Sequence, residues 1–167
     1  MQNARVRTLL VLRHAQTEAT RPGSTDHARR LTAAGLAEAA AVGDHLRSTG
    51  TGVGLALCSS ATRAQQTLVA LGVDCPTEIT GELYNAGGDR ILAALREVPD
   101  DVRGVIVVAH APGLPGLVYE LADPETSDPQ ALAVLETQFP PATLATLQLT
   151  DDWAHLRQAT LTELRLP

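Results

Sequence analysis

Two arginines and two histidines follow hydrophobic segments of the chain, and together their side chains are suited to phosphate chemistry. Arg13 and His14 end the first such segment, Arg63 comes shortly after the second, and His110 ends the third. Arginine can bind phosphate oxygens with a planar fork of donors, which a point charge cannot do. A neutral imidazole with one bare ring nitrogen is a competent nucleophile at physiological pH. These residue types predict a phosphoryl-transfer site.

A metal or cofactor is not required by this set of side chains. The five histidines at positions 14, 27, 45, 110 and 155 show no HxH or HExxH spacing, and no DxD carboxylate pair is present. All thirteen basic residues are arginine, so the lysine of a P-loop is missing as well. If His110 is protonated, it adds positive charge where the transferring group becomes negative. We therefore expect no metal and no cofactor.

The elements that position these residues alternate between strands and helices. Thr8–Arg13, Gly54–Cys58 and the valine-rich stretch Val102–Ala109 are predicted strands buried on both faces, because they are almost continuously apolar. Thr32 is predicted to cap a helix that ends near Ser48. Its predicted buried face consists of Leu36, Ala39, Ala40, Gly43 and Leu46. Residues 123–129 are a predicted loop, and 143–149 and 153–160 a predicted closing hairpin.

This alternation predicts an α/β fold with a parallel sheet between two helical layers. The 167 residues are enough for a single domain spanning 1–167. Ligands of such sheets collect at the carboxyl ends of the strands. Arg13 with His14, Ser59 to Arg63, and His110 are all predicted to lie at that edge.

Composition excludes several other classes of partner. The net charge is −6 and aromatic residues make up 2% of the chain, which argues against nucleic-acid binding. No stretch approaches the roughly 20 apolar residues of a membrane span, and Cys58 and Cys75 do not form a disulfide framework. We expect a cytoplasmic protein without nucleic-acid or membrane partners.

Three ordered motifs resemble the histidine phosphatase superfamily, also called the phosphoglycerate mutase-like superfamily. Leu12-Arg-His-Ala15 is similar to its Arg-His-Gly signature, Ser60 to Thr67 to its SxxRAxQT motif, and Val108 to Gly113 to its V-G-H-N-P-G motif. Asp26 to Gly35 resembles the DxxRxLTxxG segment of the SixA-type branch, the phosphohistidine phosphatases. Residues 82–86 and 139–145 are similar to that branch too.

The resemblance implies a role for each matching position. His14 would be the phosphorylated nucleophile, and Arg13, Arg63 and His110 would form the phosphate pocket. Thr17 or Gln16 would add a hydrogen bond to the substrate. The resemblance also implies a three-layer α/β/α sandwich whose mostly parallel sheet contains one antiparallel strand.

The sequence departs from the superfamily at the position of the proton donor. Related mutases and broad phosphatases carry Glu where this chain has Asn85, and Ala109 and Ala111 replace the usual Gly and Asn beside His110. Protonation of a leaving alkoxide by a general acid raises the reaction rate ~10²–10⁴-fold. The P–N bond of phosphohistidine is weak, so its cleavage depends less on such an acid. Glu82 is the foremost alternative donor, ahead of Glu18, Asp26 and His27.

Three functions are compatible with the sequence. The first is a phosphatase that acts on phosphohistidine, a phosphorylated protein side chain. The absence of Glu at position 85 and the short chain favour this function. The second is a phosphomonoesterase for a small phosphorylated metabolite. The third is a non-catalytic phosphate-binding module in which Ala109 and Ala111 misplace His110.

Overall fold

A computed structural model describes residues 6–167, which form a six-stranded sheet with five helices. In chain order the strands are β1 (Arg7–Arg13), β2 (Leu55–Ser59), β3 (Thr77–Thr80), β4 (Gly104–Ala109), β5 (Leu144–Leu149) and β6 (Thr160–Arg165). The helices are α1 (Ala33–Thr49), α2 (Thr62–Leu71), α3 (Gly88–Arg96), α4 (Gly113–Leu121) and α5 (Pro129–Leu135). None of the helices between residues 6 and 167 is long and apolar enough to cross a membrane.

The sheet confirms the expected α/β class and its single antiparallel strand. Its strand order is β3-β2-β4-β1-β5-β6, with parallel pairing among the first four strands. Strand β5 runs antiparallel to both β1 and β6, so it alone opposes the direction of the others. A parallel arrangement of β1, β2 and β4 brings their carboxyl ends to one edge.

Apolar side chains of β1 alternate between the two faces of the sheet, and each face is covered by helices. Leu9 and Val11 belong to the core shared with α3, α4 and α5, whereas Leu10 and Leu12 belong to the core shared with α1 and α2. All four are fully buried. Burial on both faces explains the continuous hydrophobic run and gives the three expected layers.

Helix α1 is capped as predicted, but two residues of its predicted buried face are wrong, because Leu36 is exposed and Ala40 is only half-buried. The Thr32 hydroxyl accepts from the amide of Gly35, and Gly50 ends the helix in the left-handed conformation. Leu36 is 44% exposed, and Val42 is buried instead. Gly35 faces inward because the backbone there lies against the Gln16 carbonyl, where a Cβ would clash. That contact turns its neighbour Leu36 outward.

The first strand of the closing hairpin lies where it is predicted, but the second strand begins later. Trp153–His155 is a 3-10 turn rather than part of a strand, and β6 starts at Thr160. Asp152 caps this turn by accepting from the His155 amide at 2.9 Å. The buried indole of Trp153 donates to the Val102 carbonyl at 2.8 Å, and Arg96 of α3 donates to the Leu156 carbonyl at 2.8 Å. These contacts hold the segment against the end of α3 and keep it out of the sheet.

Candidate active site

His14 lies at the carboxyl end of β1 with its reactive nitrogen defined by one hydrogen bond. The ring is buried, and its Nδ1–H donates to the Ala15 carbonyl oxygen at 2.8 Å. Because a carbonyl oxygen only accepts, Nδ1 carries the proton and Nε2 keeps its lone pair. Burial, together with the positive charges of Arg63 and Arg13, lowers the pKa of His14 to about 4. The imidazole is therefore neutral and nucleophilic at physiological pH.

His110 lies beside His14 because β1 and β4 are paired in register. Arg13 is opposite Ala109, the His14 amide donates to the Ala109 carbonyl at 3.1 Å, and the two imidazole centroids are 5.3 Å apart. The His110 Nε2 lies 2.7 Å from the Ser59 hydroxyl. Burial, with Arg63 next, lowers the pKa of His110 to about 3. His110 is therefore neutral at physiological pH.

The two predicted arginines converge on the same pocket. Arg13 donates from Nη1 to the Phe139 carbonyl at 2.8 Å, and Arg63 donates from Nη1 to the Asp26 carbonyl at 2.9 Å. Burial, followed by the positive charge of Arg63, lowers the pKa of Arg13. Among the described residues, the Nε atoms of both arginines and Nδ1 of His110 have no hydrogen-bond partner. A bound oxyanion fits this excess of positive charge and donors.

Main-chain contacts that the sequence did not predict hold the loop after β1. Thr67 accepts from the Ala15 amide at 3.0 Å and donates to the Arg63 carbonyl at 2.7 Å, so one hydroxyl joins the His14 and Arg63 segments. The Ala142 amide donates to the carbonyls of both Arg13 and His14. Ala142 has φ 65°, a left-handed conformation unfavourable for alanine. Thr67 is part of the second motif, but only its position one helical turn after Arg63 hinted at this contact.

Asp26 forms the rim of the pocket and links several of its residues. Its carboxylate accepts from the Arg63 Nη2 at 3.2 Å, from the Arg29 Nε at 3.0 Å and from the Tyr84 hydroxyl at 2.7 Å. The Tyr84 hydrogen bond, followed by the charges of Arg63 and Arg29, lowers the pKa of Asp26 to about 2. Asp26 is thus ionised near neutral pH and has no proton to give. Arg29 and Tyr84 lie within the SixA-like segments of the sequence, which by themselves predicted no role for either side chain.

The remaining predicted site residues contact other parts of the chain. Gln16 is exposed, and its Oε1 accepts from the Thr32 hydroxyl at 2.8 Å. Thr17 lies at the rim, where its hydroxyl accepts from the Arg29 Nη1 at 2.9 Å. The Glu82 side chain is 76% exposed, with its carboxylate 3.6 Å from the Arg90 guanidinium. Direct substrate contact by Gln16 or Thr17 and proton donation by Glu82 remain predictions.

No group of three or more His, Cys, Asp or Glu side chains able to hold a metal ion occurs within residues 6–167. The phosphate chemistry available to this pocket, as far as the structure describes it, comes from imidazole and guanidinium groups. It combines a bare imidazole nitrogen, two arginines and a second imidazole in one buried place. Such an arrangement suits transfer of a phosphoryl group to His14.

Known proteins share both the sequence pattern and the fold. Residues 9–83 match the family model of the histidine phosphatase superfamily, branch 1. A protein from Nakamurella multipartitia assigned as the phosphohistidine phosphatase SixA is 36% identical, with a TM-score of 0.88 over 97% of this chain and 96% of that one. Its counterpart assigned as SixA in Agrobacterium tumefaciens is 26% identical, with a TM-score of 0.82 over 96% and 98% of the two chains.

A relative of unassigned function is found in Mycobacterium tuberculosis. This uncharacterised protein is 34% identical over 143 residues, which are 86% of this chain and 90% of that protein. The site and these likenesses define a phosphatase. The chain belongs to the histidine phosphatase superfamily and is of the SixA type.

Proposed function

We propose that this protein hydrolyses phosphohistidine on protein side chains through a phosphorylated His14, without a metal ion. The observation that carries the proposal is the hydrogen bond from His14 Nδ1 to the Ala15 carbonyl at 2.8 Å, which leaves Nε2 bare. The lowered pKa of His14, about 4, keeps that nitrogen unprotonated. The likeness to proteins assigned as SixA supports the choice of substrate.

The reaction takes two displacements. His14 Nε2 attacks phosphorus and a new N–P bond forms while the P–N bond to the substrate ring breaks. The substrate ring carries a proton on its other nitrogen, so the electron pair of the broken bond leaves on a neutral imidazole. Arg13 and Arg63 bind the phosphoryl oxygens, where negative charge must be balanced. Water then attacks phosphorus, the bond to His14 Nε2 breaks, and phosphate is released. Negative charge on the phosphoryl group raises the pKa of His110, which can then donate to an oxygen.

The preference for a phosphoramidate follows from the groups that border the pocket. Asn85 cannot supply a titratable proton, and Asp26, with a pKa of about 2, is already ionised. A leaving alkoxide needs a proton in the transition state. An imidazole leaves as a much weaker base and tolerates a site without a general acid. The small-metabolite phosphomonoesterase is therefore the second candidate, because Glu82 would have to reach the leaving oxygen.

Trapping the covalent intermediate tests this proposal. During turnover of a phosphohistidine peptide, base quenching and mass spectrometry are expected to find phosphate on His14. His14→Ala is expected to lower kcat/KM at least about a thousandfold, since the nucleophile is lost. EDTA should leave the wild-type rate unchanged.

Each competing function has a distinct outcome in the same experiment. Phosphate on His14 from an alkyl phosphate, at a higher kcat/KM than from phosphohistidine, would identify a small-metabolite phosphatase. Binding of phosphate without turnover of any substrate would identify a non-catalytic module. Wild-type turnover by His14→Ala would refute the mechanism.

A further inference from the structure

Tyr84 is the aromatic side chain that borders the active site. The chain has four Phe, Trp and Tyr residues in all. Phe139 and Trp153 are buried in the core, and Tyr119 is 67% exposed on α4. The Tyr84 ring is half-buried, with its centroid 5.7 Å from that of His110 and 5.8 Å from the Arg63 guanidinium carbon. It therefore presents an aromatic surface beside two residues of the phosphate pocket.

His27 extends this aromatic surface. Its ring meets Tyr84 edge to face, with the centroids 4.8 Å apart and the planes at 77°. The His27 Nε2 lies 2.9 Å from the Ser60 hydroxyl, at the end of β2 and just ahead of Arg63. Neither aromatic ring is required to bind phosphate oxygens, because Arg13, Arg63 and His110 supply that function. The two rings are placed instead to meet whatever group the phosphate is attached to.

Two contacts fix the orientation of Tyr84. Its hydroxyl donates to the Asp26 carboxylate at 2.7 Å, and the same carboxylate oxygen accepts from Arg63. Close behind, Gly113 at the start of α4 lies against the Ala86 carbonyl so tightly that a Cβ would clash. This contact seats residues 84–86 next to the His110 loop. The ring thus has a defined position relative to the arginine that binds phosphate.

We propose that Tyr84, with His27, binds the leaving imidazole ring of a phosphohistidine substrate and so determines its selectivity. The inference rests on the proposed function and specifies which residues recognise the substrate. In an in-line displacement the leaving group departs on the side of phosphorus opposite His14 Nε2, which is toward the rim. Aromatic rings 4.5–7 Å apart attract one another beyond simple area burial. Phosphoramidate, which loses ammonia, gains nothing from such a contact.

The test compares a substrate that has a leaving ring with one that lacks it. We measure kcat/KM for a phosphohistidine peptide and for phosphoramidate in the wild type, Tyr84→Leu, Tyr84→Phe and the control Tyr119→Leu. Tyr84→Leu is expected to lower the ratio of the two kcat/KM values about five- to tenfold. Tyr84→Phe retains the ring but loses the hydrogen bond to Asp26, so the ratio should fall less than in Tyr84→Leu. Tyr119→Leu should match the wild type on both substrates.

A readout on the unaltered protein covers the case in which Tyr84→Leu does not fold. At pH 8, imidazole is expected to inhibit phosphoramidate hydrolysis by the wild type at lower concentration than cyclopentanol, a ring of similar size without π electrons. Equal losses on both substrates in Tyr84→Leu would mean that Tyr84 acts only by positioning Asp26 and Arg63, and would overturn the inference. Equal inhibition by the two ring compounds would overturn it too. If the wild type turned over neither phosphohistidine nor phosphoramidate, the proposed function itself would fail.

Discussion

The floor and the rim of the pocket are built by different means. The floor consists of Arg13, His14, Arg63 and His110, whose positions follow from strand pairing and main-chain hydrogen bonds. The rim consists of Thr17, Asp26, Arg29 and Tyr84, which lie on turns and are joined mainly by side-chain hydrogen bonds. The floor is mostly buried, whereas the Asp26 side chain is 48% exposed. We therefore expect residues placed by the sheet to carry out phosphoryl transfer, and residues of the rim to set the preference for a leaving group.

The floor and the rim also differ in how the protein shifts the pKa values of their side chains. On the floor, burial lowers the pKa of both histidines and keeps their rings neutral, which suits a nucleophile. At the rim, hydrogen bonds to Asp26 stabilise its negative charge in spite of partial desolvation. Arg63 belongs to both regions, because it extends from α2 into the pocket and pairs with the Asp26 carboxylate. Changes at Arg63 and Asp26 should separate the effect of each region.

Arg63→Lys is expected to have a larger effect than any substitution at the rim. Lysine retains the charge but loses the planar fork that binds phosphate oxygens and Asp26 together. We expect kcat/KM to fall about a hundredfold on every substrate, in the range found for loss of one transition-state donor. Steady-state kinetics on a phosphohistidine peptide and on phosphoramidate would measure it. The matched control is Arg90→Lys, at an exposed arginine near Glu82.

Asp26→Asn tests the contribution of the rim to kcat/KM in the same assay. The amide can still accept from Tyr84 and Arg63 but carries no charge, so the loss should be smaller than that of Arg63→Lys. A loss in Asp26→Asn as large as that in Arg63→Lys would contradict the division into floor and rim. Arg90→Lys should not differ from the wild type.

The sequence predicted the floor better than the rim, for a physical reason. Residues 13, 14 and 110 end long apolar strands, and parallel strands bring their ends together regardless of detail. The rim depends on contacts between side chains of different turns, and the periodicity of hydrophobic residues along the sequence does not predict such contacts. Gln16 illustrates this, because the approach of Gly35 to its backbone directs its side chain to the cap of α1. The 3-10 turn after Asp152 was missed for the same reason, since the burial of Trp153 decided it.

Binding of an oxyanion to the floor is expected to take up a proton at His110. The pKa of His110 is about 3 in the pocket, and a bound dianion next to the ring should raise it. If the pKa of His110 is higher in the complex than in the free protein, the affinity for the anion increases as the pH falls through the pKa of the complex. Sulfate suits the measurement, because it does not titrate between pH 5 and 7. Calorimetry at pH 5.5 in two buffers of different ionisation enthalpy would count the protons.

His110→Gln is the matched control for this proton count. Glutamine can hydrogen-bond to Ser59 but does not titrate, so sulfate should bind to that variant with less proton uptake. If the heat of wild-type binding were the same in the two buffers, His110 would remain neutral with the anion bound. Its part in transfer would then be limited to hydrogen bonding.

Glu82→Gln is expected to have the smallest effect, and it decides whether the rim contains a proton donor. The Glu82 side chain is 76% exposed and pairs with Arg90 at 3.6 Å, an ion pair of the kind that contributes little in water. We expect kcat/KM to change less than about twofold on aryl and alkyl phosphates alike, against the ~10²–10⁴-fold loss that removal of a general acid produces. In both proteins the rate should fall steeply as the leaving alcohol becomes more basic. A flat dependence in the wild type that becomes steep in Glu82→Gln would identify Glu82 as the acid, and the small-metabolite phosphatase would become the better description.

Asn85→Glu is a less suitable probe, because Asn85 has φ 54°, a conformation that asparagine adopts more readily than glutamate.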